Sequence, residues 1–161
     1  MPDGAAADSV LLAFLDAQRD RAFEVVAGLD ETQLRTAALP SGWTPVELIE
    51  HLGHAERHWF QEVLLGAADP LPWTDETDCA SRSTETVFAF YRRQIARARA
   101  LVASTPLSTP PRGRHGRGDE QVTDLRFIVL HMIEETARHL GHLDAARELI
   151  DGRTGLGQDP L

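Results

Sequence analysis

Apolar residues recur at intervals of three and four along four long segments of this 161-residue chain, and this helical period limits the folds open to it. No segment alternates apolar and polar residues as a half-buried β-strand does. Stretches rich in Pro, Gly and Asp separate the four segments, and such residues are typical of loops. The pattern therefore predicts an all-α fold, a four-helix bundle with one or two long crossover connections.

The predicted helices have recognisable starts and stops. Thr44 is a good N-cap, Pro45 suits the first helical position, and Glu47 completes a capping box at the start of the second long helix. Gly152 is the expected stop of the last helix. The long helices are predicted from about Ser9 to Gly28, from Thr44 to about Leu65, from Ser83 or Thr84 to just before Pro106, and, capped by Thr123, from Asp124 to Ile150. A short helix capped by Asp30 is expected in "DETQLRTA".

Composition and charge limit the class of protein. Hydrophobic residues make up 42% and charged residues 25% of the chain, so one globular domain over residues 1–161 is expected. The net charge of −9 argues against nucleic acid as a partner, because phosphates would be repelled. No apolar run approaches the roughly 20 residues of a membrane span, and the N-terminus does not resemble a signal peptide. A cytoplasmic protein without a membrane partner is expected, and the lone Cys79 fits a reducing compartment.

Two adjacent glutamates in the last predicted helix point in different directions. Each helical residue turns about 100° around the axis, and the apolar residues of this helix centre on the direction of Leu125. By that count His139 lies about 40° and Glu135 about 80° from the centre, whereas Glu134 points about 180° away, into water. Glu135 and His139 are four residues apart, so both side chains can reach one metal ion.

A third ligand is available on the second predicted helix. His51 is the most inward of its three histidines, with His58 and then His54 further out. One carboxylate and two imidazoles from two helices would make a divalent-metal site with open positions. His142 and His131 flank the same side of the last helix.

Other conspicuous residues have ordinary expected roles. His54, His115 and Glu134 are expected at the surface, and nothing near Cys79 marks it as a nucleophile. The aromatic residues Trp43, Trp59 and Tyr91 are expected to be packing residues. The arginines of "RGRHGRG" are able to hold an anion, although a solvated loop is the commoner role for such a segment.

Two longer blocks resemble a known family. The segments "LPSGWTPVELIEHLGHAERHWF" and "LRFIVLHMIEETARHLGHLDAARELIDGRTG" closely resemble two signature blocks of the DinB/YfiT-like superfamily, nearest to its actinobacterial branch of domains of unknown function. The blocks cover about a third of the chain, and the order of predicted helices matches nearly all of it. The resemblance implies a long-crossover four-helix bundle, often a dimer.

The resemblance also implies a metal site. Its ligands are one histidine from the second helix and two residues four apart on the last, and His51, Glu135 and His139 stand at these positions. Many family members have histidine where this chain has Glu135. The mycothiol-dependent maleylpyruvate isomerase branch is similar to this chain in having glutamate there. Zinc is the first expectation for the metal, with nickel, iron and manganese also open.

The family further implies a reaction. An enzyme using a low-molecular-weight thiol such as mycothiol, for S-transfer to or isomerisation of a small electrophile, is the leading hypothesis, acting as a homodimer. His142 and His58 are then the expected catalytic partners or proton carriers. Arg112, Arg114 or Arg117 are the expected contacts of an anionic group on the cofactor or substrate. Two alternatives stay open: a hydrolase using metal-activated water, and a non-catalytic, stress-related metal- or ligand-binding protein.

Overall fold

Helices account for the regular secondary structure of residues 4–67, 79–114 and 122–154, the parts of the chain that the computed structural model describes. They are α1 (Gly4–Val26), α2 (Glu31–Leu34), α3 (Pro45–Arg57), a π-helical segment that continues α3 (His58–Val63), a 3-10 turn (Cys79–Ser81), α4 (Thr84–Ser104) and α5 (Leu125–Asp151). These ranges contain no strand, which confirms the all-α prediction. Within them, no helix combines the length and apolar character needed to cross a membrane.

The start of α3 has the predicted capping box. The Thr44 hydroxyl accepts a hydrogen bond from the backbone N–H of Glu47 at 3.3 Å, and the Glu47 carboxylate accepts one from the Thr44 backbone N–H at 2.8 Å. Two backbone donors at this helix end, the N–H groups of Thr44 and Glu47, are therefore satisfied. This fixes the first turn of α3 directly after the segment that contains Trp43.

Two predicted boundaries were wrong. Asp124, not Thr123, caps α5, because its carboxylate accepts the backbone N–H of Phe127 at 3.0 Å and its charge suits the positive helix N-terminus. The first helix begins at Gly4, more than a turn before Ser9, since the alanines between them have high helix propensity. At the other end of α5, Gly152 adopts the predicted left-handed conformation with φ of 77°.

The predicted second helix is one continuous run of helical residues, but its hydrogen-bond pattern changes from α-helical to π-helical partway along. From His58 to Val63 it is a π-helix, and the Leu64 N–H donates to the carbonyl of Trp59 at 3.1 Å. Gly66, with φ of 67°, ends the segment. The spacing of apolar residues did not predict this change, because a π-turn adds a residue to the turn without altering the polarity of its side chains.

The helices pack so that α5 lies between α1 and α3. Helix α1 runs parallel to α5, with Asp8 bonded to Arg126 at their N-terminal ends and Arg147 bonded to the carbonyl of Val25 at their C-terminal ends. Helix α3 packs on both α4 and α5. It runs antiparallel to α5, since His51 contacts Glu135, whereas Trp59, later in the chain, contacts His131, which is earlier on α5. The buried side chains form two clusters, which include Leu52, Tyr91 and Leu143 in one and Trp59, Phe60, Ile128 and Met132 in the other.

A buried ion pair that sequence patterns did not predict joins α1 to α3. Arg19 donates two hydrogen bonds of 2.7 Å to the carboxylate of Glu56, whose side chain is fully buried. A third bond at 2.9 Å links Arg19 to Asp16. The pair fixes α1 beside the C-terminal end of α3.

Candidate metal centre

Three predicted ligands meet where α3 crosses α5. The Nε2 atoms of His51 and His139 each lie 3.0 Å from the same oxygen, Oε1 of Glu135. The two imidazole rings are 4.5 Å apart at their centroids. One ligand atom from each residue lies within 4.8 Å of the others. Among the described residues, this is the group of His, Cys, Asp and Glu side chains that is close enough to share a metal ion.

Helix geometry explains why these three residues meet. Glu135 and His139 are one turn apart on α5, so their side chains lie one above the other. His51 reaches them from the facing helix. Glu134 points away, with its side chain 68% exposed and paired with Arg138 at 2.9 Å, as predicted.

The two histidines hold Glu135 in its charged form. Hydrogen bonds from His139 and then His51 keep the pKa of the Glu135 carboxyl well below its usual range, against the opposing effect of partial burial. The side chains of the three residues are 17–21% exposed. The cluster is therefore shielded on most sides but accessible from solvent, as a site for a small ligand requires.

The donor set fits a divalent cation. Two imidazole nitrogens converge on a carboxylate oxygen, so a cation replacing the shared protons would find three ligands at hand. Three protein ligands leave a coordination position open, which is typical of catalytic rather than structural zinc sites. Two histidines and one carboxylate also suit iron, and imidazole and carboxylate separately suit nickel and manganese.

The segment before α3 forms a rim beside the cluster. Trp43, expected to be a packing residue, is 37% exposed, and its ring centroid lies 5.6 Å from that of His51. The Ser41 hydroxyl is hydrogen-bonded to Nε2 of His142 at 2.9 Å. His142 is one turn beyond His139, so it lies next to the cluster and contacts this rim.

The other proposed catalytic histidine lies further along the α3–α5 contact. Nδ1 of His58 is 2.8 Å from the carboxylate of Glu62. His58 follows His51 by two turns, about 10 Å along the helix axis. Nearby, the ring of His131 packs 4.1 Å from buried Trp59. His58 therefore belongs to a neighbouring polar group and not to the cluster itself.

The predicted arginine contacts lie at another end of the molecule. The backbone N–H of Arg112 donates to the carbonyl of Leu64 at 3.0 Å, and Leu64 lies about 20 Å beyond His51 along the helix. Arg112 and Arg114 are both exposed. The structure does not bring them to the cluster, and their role towards an anionic ligand stays a prediction. His115 and Arg117 lie outside the described residues.

His54 was wrongly expected at the surface. It is partly buried, with its ring 4.9 Å from that of Phe90 on α4. Burial lowers the pKa of His54 to about 4, and the positive charge of Arg82 acts in the same direction. The angular position of His54 on α3 did not predict its burial. Helix α4 covers the side of α3 that carries His54, and this side lies outside the apolar stripe of α3.

Comparison with known families supports one assignment. The sequence model of the mycothiol-S-transferase family matches residues 10–152, which include all three cluster residues. Neither a search of curated proteins nor a search of solved structures found a match. The matched range covers most of the chain and agrees with the DinB-like resemblance of the two sequence blocks. The chain therefore belongs to the mycothiol-S-transferase family, a DinB-like actinobacterial group.

Proposed function

We propose that this protein is a divalent-metal-dependent transferase that joins the sulfur of mycothiol, or of a similar small thiol, to a small electrophile. The observation that carries the proposal is the convergence of His51, Glu135 and His139 on one point in a member of this family. A related outcome of the same chemistry is isomerisation, in which the thiol adds to the substrate and is later released.

In the transfer, the S–H bond breaks and a bond forms from sulfur to carbon, while the leaving group departs with its electron pair. A divalent cation, when bound, supplies positive charge that lowers the pKa of a thiol beside it. His51, Glu135 and His139 would hold the cation, and the negative charge of Glu135 would offset part of the cation's charge. His142 is the proposed acceptor of the thiol proton, with His58 as a more remote proton carrier.

The reacting thiol has to come from outside the chain. Cys79 is the only cysteine in the sequence, and it is 5% exposed. Burial raises the pKa of the Cys79 thiol to about 12, and the nearby Glu50 carboxylate acts in the same direction. Thiolate is the nucleophilic form of cysteine, so Cys79 is poorly suited to attack an electrophile.

The first experiment measures metal content in protein purified without an affinity tag. Wild-type protein is expected to bind about one zinc, nickel, iron or manganese ion per chain, whereas Glu135→Gln and His139→Ala bind little. Glu134→Gln is the matched control, because it removes the adjacent, exposed carboxylate and should leave metal content unchanged. Equal metal content in the Glu135 and Glu134 variants would contradict the proposed site.

The second experiment tests dependence on thiol. Metal-loaded protein is mixed with a panel of alkylating electrophiles, with mycothiol, with glutathione, or with no thiol. The proposal requires consumption of the electrophile that depends on thiol and is lost in His51→Ala. Metal binding without any turnover across the panel would instead favour a binding protein.

A hydrolase is the second candidate, because two histidines and one glutamate are also the ligand set of well-known zinc hydrolases. Metal-activated water would then attack an ester or amide bond. A panel of esters and amides, assayed without thiol, separates the two proposals, since only the hydrolase turns over these substrates.

The proposal extends to the whole assembly. We propose that the long helices form a four-helix bundle with long-crossover topology and that the protein acts as a homodimer in the cytoplasm. Light scattering of metal-loaded protein tests the dimer, which predicts twice the 17.8 kDa chain mass.

A further inference from the structure

One histidine beside the proposed metal centre has no part in the proposed reaction. His131 lies on α5 one turn before Glu135, so the two side chains leave the same side of the helix with Cβ atoms about 5–6 Å apart. The ring of His131 packs on Trp59, which is 4% exposed, with centroids 4.1 Å apart and an interplanar angle of 42°. Contact with this buried indole limits how far the partly buried imidazole can turn.

Hydrogen bonding sets His131 apart from the two histidines to which the reaction gives a role. Nε2 of His142 is bonded to Ser41, and Nδ1 of His58 is bonded to Glu62. In the described part of the chain, neither ring nitrogen of His131 has a hydrogen-bond partner. A neutral imidazole has one N–H donor and one acceptor nitrogen. His131 therefore offers both to a ligand from a ring that the core holds in place.

Other polar side chains adjoin His131 at the contact between α3 and α5. The ring of His58 also contacts Trp59, with centroids 5.5 Å apart, and its bond to Glu62 is 2.8 Å long. We call His58, Glu62 and His131 the polar flank. The side chains of His58 and Glu62 are 21–22% exposed, close to the 17–21% of the metal cluster. The surface that continues from the cluster along this contact therefore suits a hydrophilic ligand.

We propose that His131 hydrogen-bonds an amide or hydroxyl group of the thiol, a few bonds from its sulfur, and so selects hydrophilic thiols over simple alkyl thiols. This inference rests on the proposed function, because the sulfur has to be held at the centre formed by His51, Glu135 and His139. The polar flank then receives the hydrophilic part of the thiol. His131 contacts the ligand and takes no part in bond making.

The expected size of the effect is that of one hydrogen bond. A hydrogen bond between neutral groups is worth about fivefold in affinity. A thiol without an amide or hydroxyl group gains nothing from His131. The ratio of the two affinities therefore reports on this hydrogen bond, whereas metal content reports separately on the centre.

The test uses cobalt(II) as the bound metal, with N-acetylcysteamine and ethanethiol as probes. Ethanethiol has the same two-carbon chain but lacks the amide group. Each thiol is titrated into cobalt-loaded protein, and binding is followed by the change in cobalt absorbance. His131→Phe keeps an aromatic ring against Trp59 and removes both nitrogens, so it should weaken binding of N-acetylcysteamine about fivefold. Ethanethiol affinity and cobalt content should stay unchanged.

Leu130→Ala is the matched control, because it shortens the adjacent side chain, which is 49% exposed. It should leave both affinities unchanged. His131→Leu also removes both nitrogens, so it should repeat the result of His131→Phe without a new aromatic ring.

An unchanged ratio of affinities in the His131 variants, or an equal loss for both thiols, would show that this histidine is merely solvated and would overturn the inference. The proposed function would survive that result. Failure of wild-type protein to bind cobalt, or of either thiol to alter its spectrum, would overturn the proposed function and this inference with it.

Discussion

At the scale of single residues, direction on a helix decides which side chains reach the cluster. Glu134 and Glu135 are neighbours in the sequence, yet one is paired with Arg138 in solvent and the other accepts hydrogen bonds from two histidines. The 100° turn between successive residues is sufficient to separate them. Their substitutions are therefore the sharpest comparison for the proposed metal site.

Cys79 is expected to resist alkylation in the native protein. Its pKa of about 12 leaves very little thiolate at pH 8, and its burial blocks access. Treatment with iodoacetamide followed by intact mass measurement should show almost no modification of native protein and full modification in denaturant. Rapid native alkylation would remove the argument that the reacting thiol comes from outside.

His54 is expected to make stability depend on pH. The folded-state pKa of His54 is about 4, below the value of about 6.5 for an unfolded chain, so below pH 6.5 the unfolded state binds more protons. This contribution is complete above pH 6.5 and is lost as the pH falls towards 4. Because the ring is only partly buried, we expect about 1–2 kcal/mol.

Urea unfolding of wild type and His54→Gln at several pH values measures this effect. The variant should show a shallower fall in stability between pH 6.5 and 4. The charged groups around His54, namely Arg82, His51, Arg57 and Glu62, remain in both proteins, so the difference isolates His54. Parallel curves for the two proteins would contradict the prediction.

At the scale of elements, contacts between helices hold the site in position. Arg19 and Glu56 join α1 to α3, and the π-helical end of α3 carries His58 and Glu62. The loop after α4 hydrogen-bonds to this end through Arg112. The Arg19–Glu56 and Arg112–Leu64 contacts are long-range in sequence, and the first of them involves residue types that patterns alone place in solvent.

Glu56→Gln is expected to lower the free energy of unfolding by about 3 kcal/mol. The change leaves Arg19 buried with only Asp16 to balance its charge, and uncompensated buried charges are costly. Chemical denaturation gives the value. Glu134→Gln, which breaks an exposed pair, should change stability by less than about 1 kcal/mol. Similar small losses in both variants would show that the buried pair contributes little.

Gly113→Ala is expected to destabilise the joint between the loop and the π-helical segment by about 1–3 kcal/mol. A Cβ atom at this position would overlap the backbone carbonyl of Glu62. Gly141→Ala is the control, because its added methyl group meets nothing and alanine favours the helix, so it should stabilise α5 by up to about 1 kcal/mol. Thermal unfolding of both variants measures the two opposite shifts.

At the scale of the whole molecule, the cluster joins two antiparallel helices far apart in sequence. His51 and Glu135 are separated by 84 residues. A ligand that binds this pair only in the folded state adds its binding energy to folding. Binding of a metal ion at the cluster would therefore stabilise the folded protein as a whole.

Zinc is expected to raise the unfolding temperature of wild-type protein. At a free concentration 100 times the dissociation constant, the gain is about 2.7 kcal/mol, equivalent to about 5–10 °C for a domain of this size. Glu135→Gln should show little shift, whereas Glu134→Gln should behave as wild type. Differential scanning calorimetry with zinc or a chelator measures the effect, and equal shifts in all three would place the metal elsewhere.

The sequence by itself determined which segments form the long helices, and it singled out the three cluster residues. Helical period, capping residues and stop glycines depend on neighbours within about four positions, so they can be read without the fold. The inward directions of His51, Glu135 and His139 follow from the turn of about 100° per helical residue. The family resemblance then implied that residues from the two helices form one site.

Only the tertiary structure decided how these elements meet. The exposed position of Trp43, the partial burial of His54 and the Arg19–Glu56 pair each depend on a helix or loop distant in sequence. The hydrogen bond between His51 Nε2 and Glu135 Oε1 likewise requires that α3 and α5 run antiparallel and at a particular register. Local periodicity sets the direction of a side chain around its own helix, whereas packing of the whole core sets what it faces.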